Sequence, residues 1–480
     1  MRSHTLVRLT VSLSAVLILG CQSDLPLQPP LDPATSVRHA SLVSAGNMVL
    51  RGTIITPDGV LKHGYVGTVD GRIVAVSDRQ PDVPGAIVID TEGIIAPGFV
   101  DVHNHVFWNV LPRWTPSRTF SNQPDWADDP EFRQLRGPVD RLASSSFCDL
   151  NAWGELRALV GGTTSIMATR ATPCIHGLVR NLDFNSGFYG TTELNREHIF
   201  VGDFRFPPPS DPVARATLVA TAQFLIANPF YEALALHAAE GTDAYAHEQF
   251  TFLESQGLLN PKGVLIHGIP LDANDFGAMA AAGTALVWSP RSNLELYGAT
   301  ANIAAALDAG VEIALAPDWA LTGSSNVLDE LKVASSWNRE QLDGRLTDRQ
   351  LIDMVTSVPA RIVGVDDEVG AISPGLRADL VVIKGRPSEP YRAIVEAGPE
   401  DVLLVTIQGV PLYGSRSLMK RFWTSADLEE IALPGGPKVL ASPVAGMAVA
   451  EVAARLSAAL QAEGTSLGPL SEGSAGRPAR

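Results

Sequence analysis

The sequence predicts an α/β protein built on a (β/α)₈ TIM-like barrel, with a small β-sandwich domain assembled from both flanks of the barrel. The chain has 480 residues, of which 45% are apolar, so it is long enough for a barrel and an accessory domain. Strand-like runs alternate with helical stretches through its middle, which is typical of a parallel sheet. Runs rich in β-branched residues, separated by turn signals, occur on both sides of that middle part.

Composition excludes several other classes of protein. The 36 Lys and Arg against 52 Asp and Glu give a formal net charge of −16. An acidic chain without a long basic run is poorly suited to binding nucleic acid. Three cysteines are too few for a disulfide scaffold and too scattered for a zinc ribbon.

Residues 1–20 have the pattern of a secretory signal peptide. Arg2 and Arg8 precede an apolar run, Leu9–Leu19, that is shorter than the roughly 20 residues a membrane-spanning helix needs. Ile18-Leu19-Gly20-Cys21 resembles the lipobox of bacterial lipoproteins, which implies lipidation of Cys21. We therefore expect an exported protein, lipid-anchored to the bacterial cell envelope at the outer membrane or in the periplasm. The alternative is a plain signal peptide with a chance cysteine.

A proline-rich spacer, residues 21–44, follows the signal. Residues 45–95 contain β-rich runs joined by Pro57-Asp58-Gly59 and Asp70-Gly71, and Asp-Gly between such runs is a strong hairpin signal. Similar runs return within residues 366–420, so the two segments are predicted to form one composite sandwich. Residues 421–480 are predicted to form a C-terminal helix, from the apolar spacing over Val444–Leu460, and a disordered tail from Gly464 onward.

The barrel is assigned to residues 96–365, where seven strands are clear and the eighth is expected between Ala171 and Phe230. The seven are Phe99–His103, Thr163–Thr169, Ile199–Phe204, Ala233–His237, Gly263–His267, Thr284–Trp288 and Glu312–Asp318. A long insertion, Val106–Asn151, follows the first strand. Long loops at the catalytic face of a barrel are usually lids or substrate walls.

Several of these strands end in residues that can hold a metal ion: His103 and His105, His237, His267 and Asp318. The carboxyl ends of barrel strands converge on one mouth, and alternate residues of a strand point to the same face. Imidazole nitrogens and carboxylate oxygens are preferred ligands of Zn²⁺ and other divalent metals. The sequence therefore predicts a metal site at the mouth of the barrel.

Between Asn47 and Tyr413 the chain resembles the amidohydrolase superfamily of metal-dependent hydrolases. The resemblance rests on motifs that occur in the family's order: APGFVDVHNH, GGTTSIM, LHAAE, LIHG, SPRSNLEL, APD and SPGLRADLVVI. Many members hold two metals bridged by a carboxylated lysine, but this chain has no lysine between Lys62 and Lys262. LHAAE is instead similar to the His-x-x-Glu pattern of the mononuclear deaminase and chlorohydrolase branch.

The resemblance implies a role for each site residue. His103, His105, His237 and Asp318 bind one divalent metal, with Zn²⁺ favoured and Fe²⁺ or Mn²⁺ as alternatives. His267 hydrogen-bonds the attacking water or polarises the substrate, Asp318 orients that water, and Glu240 moves protons. A carboxylate can take a proton from water and return it to a leaving amine.

The chain departs from the family pattern at Trp288 and Trp319, which place bulky rings near the mouth, so known aminopurine or triazine specificity does not transfer. Trp319 and Asn293 are candidate substrate-binding residues, with packing or loop support as the alternative. Cys148 and Cys174 either pair or remain free thiols.

We therefore predict a hydrolase that acts on C–N bonds of a small molecule, by deamination or by hydrolysis of an amide or cyclic amide. The alternatives are a hydrolase of ester, lactone or C–halogen bonds and, from another class, a non-catalytic solute-binding lipoprotein. The expected partners are a small-molecule substrate and, through Cys21, a membrane, but no nucleic acid. Homo-oligomerisation is left open.

Overall fold

The computed structural model describes residues 46–168, 178–182, 199–202, 206–433, 436–445 and 448–472. The chain begins with four strands: β1 (Met48–Thr56), β2 (Gly59–Val69), β3 (Arg72–Ser77) and β4 (Ile87–Pro97). The β2–β3 turn contains Asp70 at φ 48° and Gly71 at φ 79°. Two positive φ angles are what a type I′ turn requires, so this Asp-Gly pair forms the predicted hairpin.

Eight further strands follow: β5 (Phe99–Asn104), β6 (Thr163–Ala168), β7 (Arg180–Asn181), β8 (Ile199–Gly202), β9 (Ala233–Ala238), β10 (Gly263–His267), β11 (Ala285–Trp288) and β12 (Ile313–Leu315). They form two parallel sheets, with orders β5-β6-β7 and β12-β11-β10-β9-β8. An isolated parallel bridge, Asn104 with Asp318, links the ends of β5 and β12. The eighth strand, β7, has only two residues, which is why no β pattern marked it in the sequence.

The helices of this region are α1 (Gln123–Ala127), α2 (Pro130–Leu142), α3 (Phe147–Val160), α4 (Pro212–Ala227), α5 (Ala244–Ser255), α6 (Ala273–Ala282), α7 (Pro290–Tyr297), α8 (Ile303–Ala309), α9 (Val327–Gln341), α10 (Asp348–Asp353) and α11 (Ser357–Ile362). The predicted insertion after β5 contains a short 3₁₀ helix (Val106–Trp108), α1, α2 and the start of α3. Alanine and valine side chains of β5, β9, β10, β11 and β12 share one buried apolar cluster.

The chain returns to the first sheet through β13 (Leu380–Ile383), β14 (Val402–Ile407), β15 (Val410–Ser415), β16 (Leu428–Ile431) and β17 (Lys438–Ala441). The nine-stranded order is β16-β17-β15-β14-β13-β4-β1-β2-β3. The antiparallel pairing of β13 with β4, which sets Leu380 opposite Pro97, joins the two flanks of the chain. The remaining helices are α12 (Pro390–Glu396), α13 (Arg416–Met419), α14 (Ser442–Ala445) and α15 (Val449–Ala462), with 3₁₀ turns at Pro399–Asp401 and Ser425–Asp427.

The residues that follow α15 pack against the barrel, so the predicted disordered tail does not begin at Gly464. The amide of Gly468 donates to the carbonyl of Val110, and its carbonyl accepts from the indole of Trp153. Glu472 pairs with the guanidinium groups of Arg113 and Arg291. Polar anchors of this kind are not visible in a Gly- and Ser-rich sequence, and they order the segment as far as residue 472.

Three predictions fall on residues outside the described part. They are the signal peptide, the spacer together with the lipid-carrying Cys21, and the pairing of Cys174. Cys148 forms a disulfide bond. Among the described residues, no helix is both long enough and apolar enough to cross a membrane.

Burial of Glu155, in α3, leads to a prediction about the pH dependence of stability that can be tested without an activity assay. Its carboxylate is fully buried and accepts from the amide of Val179 at 3.3 Å. Burial raises the pKa of Glu155 to about 8 from an ordinary 4.5. Because the folded state then holds a proton that the unfolded chain has lost, stability falls as pH rises from about 4.5 to about 8. Glutamine does not titrate, so we expect Glu155→Gln to reduce this pH-dependent decrease in the free energy of unfolding by a few kcal/mol, at roughly 1.4 kcal/mol per pKa unit.

Urea unfolding at pH 4.5, the lower end of that range, and at pH 8.5 measures this effect. The variant should gain stability over the native protein at the higher pH and little or none at the lower. Because Asp101, Glu240 and Glu330 also have raised pKa values, the comparison between the two proteins, and not the native curve alone, isolates Glu155. Equal pH dependence of the two proteins would contradict the prediction.

Candidate metal centre and active site

The predicted metal ligands lie together at the carboxyl ends of β5 and β9 and just beyond β12. Nε2 of His103 lies 3.1 Å from Nε2 of His237 and 3.3 Å from Oδ1 of Asp318. The same carboxylate oxygen lies 3.2 Å from Nε2 of His105. His267, at the end of β10, is also part of the cluster, with its ring centre 4.9 Å from that of His103. The structure therefore brings together five side chains that are widely separated in the sequence.

The spacing of these atoms fits a divalent cation. Ligand atoms at about 2.0–2.2 Å from a tetrahedral zinc ion lie about 3.3 Å from one another. Burial lowers the pKa of His103 well below its ordinary value, so the ring is neutral. Its Nδ1 is engaged by the hydroxyl of Ser289 at 2.8 Å, which leaves Nε2 to act as a ligand. Three imidazoles and one carboxylate form a donor set that suits Zn²⁺, Fe²⁺ or Mn²⁺.

Two features of the backbone hold the ligands in place. His103 lies in β5 and His105 follows its last residue, and their ring centres are 5.4 Å apart. The amide of Asp318 donates to the carbonyl of His103, and the amide of His105 donates to the carbonyl of Asp318. These reciprocal bonds, at 3.0 and 2.9 Å, join the end of β12 to the end of β5.

The backbone is strained at the same place. Ala239, His267 and Asp318 have φ angles of 54°, 81° and 67°, in the left-handed region that non-glycine residues rarely adopt. Each such residue costs on the order of 1–3 kcal/mol and persists only where the surroundings impose it. Strain of this kind clusters at active sites, so its position at or just beyond the ends of β9, β10 and β12 is independent support for a functional mouth.

His267 is oriented by a hydrogen-bonded chain behind it. Its Nδ1 lies 2.9 Å from Oδ1 of Asn293, an acceptor, so Nδ1 carries the proton and Nε2 presents a lone pair. The amide of Asn293 donates in turn to Thr300, which also accepts from the indole of Trp288. Burial lowers the pKa of His267, which keeps the ring neutral. Asn293 is fully buried, and its side chain is hydrogen-bonded to His267 and Thr300. Its contact with substrate stays a prediction.

Trp319 lies directly beside the metal ligands. Its ring centre is 5.6 Å from that of His105 and 5.4 Å from that of Trp126, and its indole donates to the hydroxyl of Thr322. Only 5% of the residue is exposed. The ring therefore forms part of the wall next to His105, and its predicted stacking on a flat substrate remains a prediction.

Glu240 lies at the border of the cluster, within reach of His267. Its Oε2 is 3.7 Å from Nε2 of His267, while its Oε1 accepts from the hydroxyl of Tyr297 at 2.6 Å and the indole of Trp126 at 3.2 Å. Burial raises the pKa of Glu240 to about 7, against the opposing effects of His237 and these hydrogen bonds. A carboxyl group with a pKa near neutrality can both accept and release protons at physiological pH.

Sequence reasoning missed Ser289, Tyr297 and Trp126, which contact predicted site residues directly. It also missed a polar chain behind β5: Asn104 donates to Asp101, Asn109 donates to Asn104, and the side-chain oxygen of Asn109 accepts from the amide of Ala320. Burial raises the pKa of Asp101 to about 8. The register of β5 against β6 shifts between Asp101 and Asn104, so a period of two along the strand could not have placed Asp101 relative to His103.

Comparison with known proteins finds one family and several enzymes to which this chain is similar. Residues 232–412, which carry His237, Glu240, His267 and Asp318, match the model of the amidohydrolase family. A 5-methylthioadenosine/S-adenosylhomocysteine deaminase of Desulfitobacterium hafniense is 24% identical, over 76% of this chain and 91% of the relative. An 8-oxoguanine deaminase of Pseudomonas aeruginosa is 25% identical, over 69% of this chain and 84% of the relative.

Solved structures show the same fold. Guanine deaminase from Bradyrhizobium japonicum superimposes with a TM-score of 0.60 at 18% identity, covering 77% of this chain and all of that one. An adenosine deaminase from Xanthomonas campestris with bound zinc gives a TM-score of 0.58 at 18% identity, covering 87% and 98%. The prediction of a TIM-barrel-type α/β fold is confirmed, while closure of the barrel and a separate sandwich domain stay predictions.

Together the family match and the deaminase relatives support the predicted resemblance of this chain to the amidohydrolase superfamily and to its deaminase branch. They confirm the predictions of an enzyme and of hydrolysis of C–N bonds in small molecules. They also support a divalent metal at the His and Asp cluster.

Proposed function

We propose that this chain is a mononuclear zinc deaminase, which replaces an amino group on a small heterocycle by oxygen and releases ammonia. The observation that carries the proposal is the cluster of three imidazoles and one carboxylate, spaced for one cation, with the Glu240 carboxyl at its border. The relatives named as deaminases of 8-oxoguanine and of adenosine derivatives support an amino-substituted ring as the class of substrate.

His103, His105, His237 and Asp318 would hold the metal. A divalent cation there supplies Lewis acidity, which makes water a nucleophile near neutral pH. Asp318 is a carboxylate within the ligand cluster, so it can orient the attacking water. His267 presents its unprotonated Nε2 and can accept a hydrogen bond from the water or from the tetrahedral carbon's new hydroxyl. Glu240 takes one proton from the water and returns it to the leaving nitrogen, so that ring amine plus water gives ring carbonyl plus ammonia.

The described residues favour one metal over two. Both groups of candidate ligands in this part of the chain contain His103, so they are overlapping descriptions of one site. The sequence has no lysine between Lys62 and Lys262 to form a carbamate bridge. Three nitrogen ligands and one oxygen ligand favour zinc over the more oxygen-rich sites of Mn²⁺.

Metal analysis and an ammonia assay test this function. Purified protein should contain about one equivalent of zinc, and a colorimetric screen of amino-substituted purines, pyrimidines and triazines should show ammonia release by the native enzyme. Two equivalents of metal would refute the mononuclear site. Release of acid from esters or lactones, or of halide, with no ammonia from any amine or amide would establish the alternative hydrolase instead.

A solute-binding protein without turnover is disfavoured by Glu240. Binding a ligand does not require a buried carboxyl group with a pKa of about 7 beside the metal ligands. Burial of such a group costs stability, which is expected where catalysis uses it.

We also propose that the protein is exported and lipid-anchored through Cys21, on the support of the basic, apolar and Gly-Cys pattern of residues 1–21. Cys21→Ala should move the protein from the membrane fraction to the soluble fraction of a bacterial lysate and abolish incorporation of labelled palmitate. Ser23→Ala, two residues away, serves as the matched control and should leave both results unchanged. Membrane association that persists without Cys21 would contradict the anchor.

A further inference from the structure

Two donors converge on a single oxygen of Glu240. The hydroxyl of Tyr297, at the end of α7, donates to Oε1 at 2.6 Å, and the indole of Trp126, in α1, donates to the same oxygen at 3.2 Å. The same indole N–H also donates to the Tyr297 hydroxyl oxygen, at 2.6 Å, so it is shared between two acceptors and the three groups form a closed triangle. All three residues are at most 9% exposed, which keeps water from competing for these bonds.

The other carboxyl oxygen of Glu240, Oε2, is positioned for proton transfer. Oε2 accepts no hydrogen bond from the described residues and lies 3.7 Å from Nε2 of His267, on the side of the metal cluster. Because both lone pairs of Oε1 face donors, the proton of the neutral carboxylic acid belongs on Oε2. The carboxyl group of Glu240 is therefore held with Oε2, the oxygen that carries the proton, toward the reacting atoms.

We propose that Trp126 and Tyr297 are positioning residues for Glu240, which fix the carboxyl so that it receives and delivers protons through Oε2. The inference rests on the proposed function, since it assigns the two residues to the proton transfer that Glu240 performs there. Neither residue contacts the metal ligands through a hydrogen bond in the described part of the chain, so each acts through Glu240.

The insertion that carries Trp126 is hydrogen-bonded to the loop that carries Glu240. The amide of Gln123 donates to the carbonyl of Glu240, and the amide of Thr242 donates to the carbonyl of Ser121. Asn122 forms a bridge with Gly241 and donates from its side chain to Asp243 at 2.6 Å. A rigid backbone connection therefore sets the distance between the indole and the carboxyl.

Gly241 allows this close approach. Its φ is 140°, and a Cβ atom added there would lie 2.3 Å from the carbonyl oxygen of Ser121 and 2.6 Å from the Cα of Asn122. Any other residue would push the insertion away from the loop. Residues 121–126 of the insertion are thus part of the support for Glu240 and not only a wall over the site.

The experiment removes each donor with the smallest change of shape. Tyr297→Phe and Trp126→Phe should each lower kcat by roughly 10- to 100-fold, the range expected for losing a hydrogen bond to a charged group, with KM and zinc content nearly unchanged. Tyr413→Phe is the matched control for the hydroxyl, because Tyr413 is buried in β15 and its hydroxyl has no hydrogen-bond partner among the described residues. Trp114→Phe is the control for the indole, because Trp114 donates to Glu131 within the same insertion. Both controls should keep native kcat.

A double-mutant cycle separates positioning from structural support. Combined with Glu240→Gln, Tyr297→Phe should lower the residual kcat by less than about 3-fold further, because the group that it positions no longer transfers protons. Losses that multiply in the double variant, or a native kcat in both single variants, would overturn the inference. If Glu240→Gln itself keeps native activity, the proposed function fails first and the cycle is not needed to show it.

Discussion

Replacing Glu240 by glutamine is expected to lower kcat by about 10²–10⁴-fold, the usual worth of general acid–base catalysis. Glutamine has nearly the same shape, and its carbonyl oxygen can still accept from Tyr297 and Trp126. It has no proton to exchange, however, so the attacking water and the leaving nitrogen lose their proton carrier. Zinc content should stay at about one equivalent, because Glu240 is not among the candidate ligands.

Glu131→Gln is the matched control for this variant. Glu131 also accepts from an indole, that of Trp114, but it belongs to α2 and makes no contact with the metal cluster. Its substitution should leave kcat, KM and zinc content at native values. Native turnover in Glu240→Gln would remove the proposed proton carrier, and loss of zinc in that variant would show a ligand role that the structure does not assign.

The metal cluster could be predicted from the sequence because two simple regularities govern it. Residues two apart in an extended segment are expected on the same side, which predicts His103 and His105 together, and the carboxyl ends of parallel strands gather at one mouth. A histidine or aspartate that follows a recognisable strand is therefore placed by topology alone. His237, His267 and Asp318 are all positioned in this way.

The surroundings of Glu240 could not be predicted by the same reasoning. Trp126 lies in an insertion without a repeating pattern, and Tyr297 is the last residue of a short helix. Their contact with Glu240 depends on the path of the backbone between distant segments, which no periodicity encodes. Asn293 shows the same limit, since the sequence indicated a polar residue near the mouth but not that it faces the back of His267.

Local signals also failed where an element was very short or was ordered by distant partners. β7 has two residues, Arg180 and Asn181, and Arg180 is held by a buried ion pair with Asp379 that composition does not reveal. Residues 464–472 have the composition of a flexible tail, yet Glu472 is held by two arginines from the barrel. Long-range pairing, and not local propensity, determines the structure in both cases.

Asp318→Asn is expected to abolish metal binding and to lower kcat/KM by about 10³-fold or more, since Lewis-acid stabilisation of the transition state is worth several kcal/mol. Asp318 is the only anionic member of the candidate ligand groups in the described residues, and its Oδ1 faces both His103 and His105. Burial acts to raise the pKa of Asp318, but its contacts with His103 and His105 lower that pKa below the ordinary value, so the group is a carboxylate near neutral pH. An amide of equal size removes that charge without opening a cavity.

Thermal unfolding gives a measurement that does not depend on turnover. A ligand that binds only the folded state stabilises it by about 2.7 kcal/mol at a concentration 100 times its Kd. The native protein should therefore lose Tm when treated with a chelator and regain it with zinc, whereas Asp318→Asn should respond to neither. Asp275→Asn is the matched control, because Asp275 pairs with His247 at 2.8 Å in a similar contact away from the mouth. That variant should respond like the native protein, and a full zinc response in Asp318→Asn would show that the metal binds elsewhere.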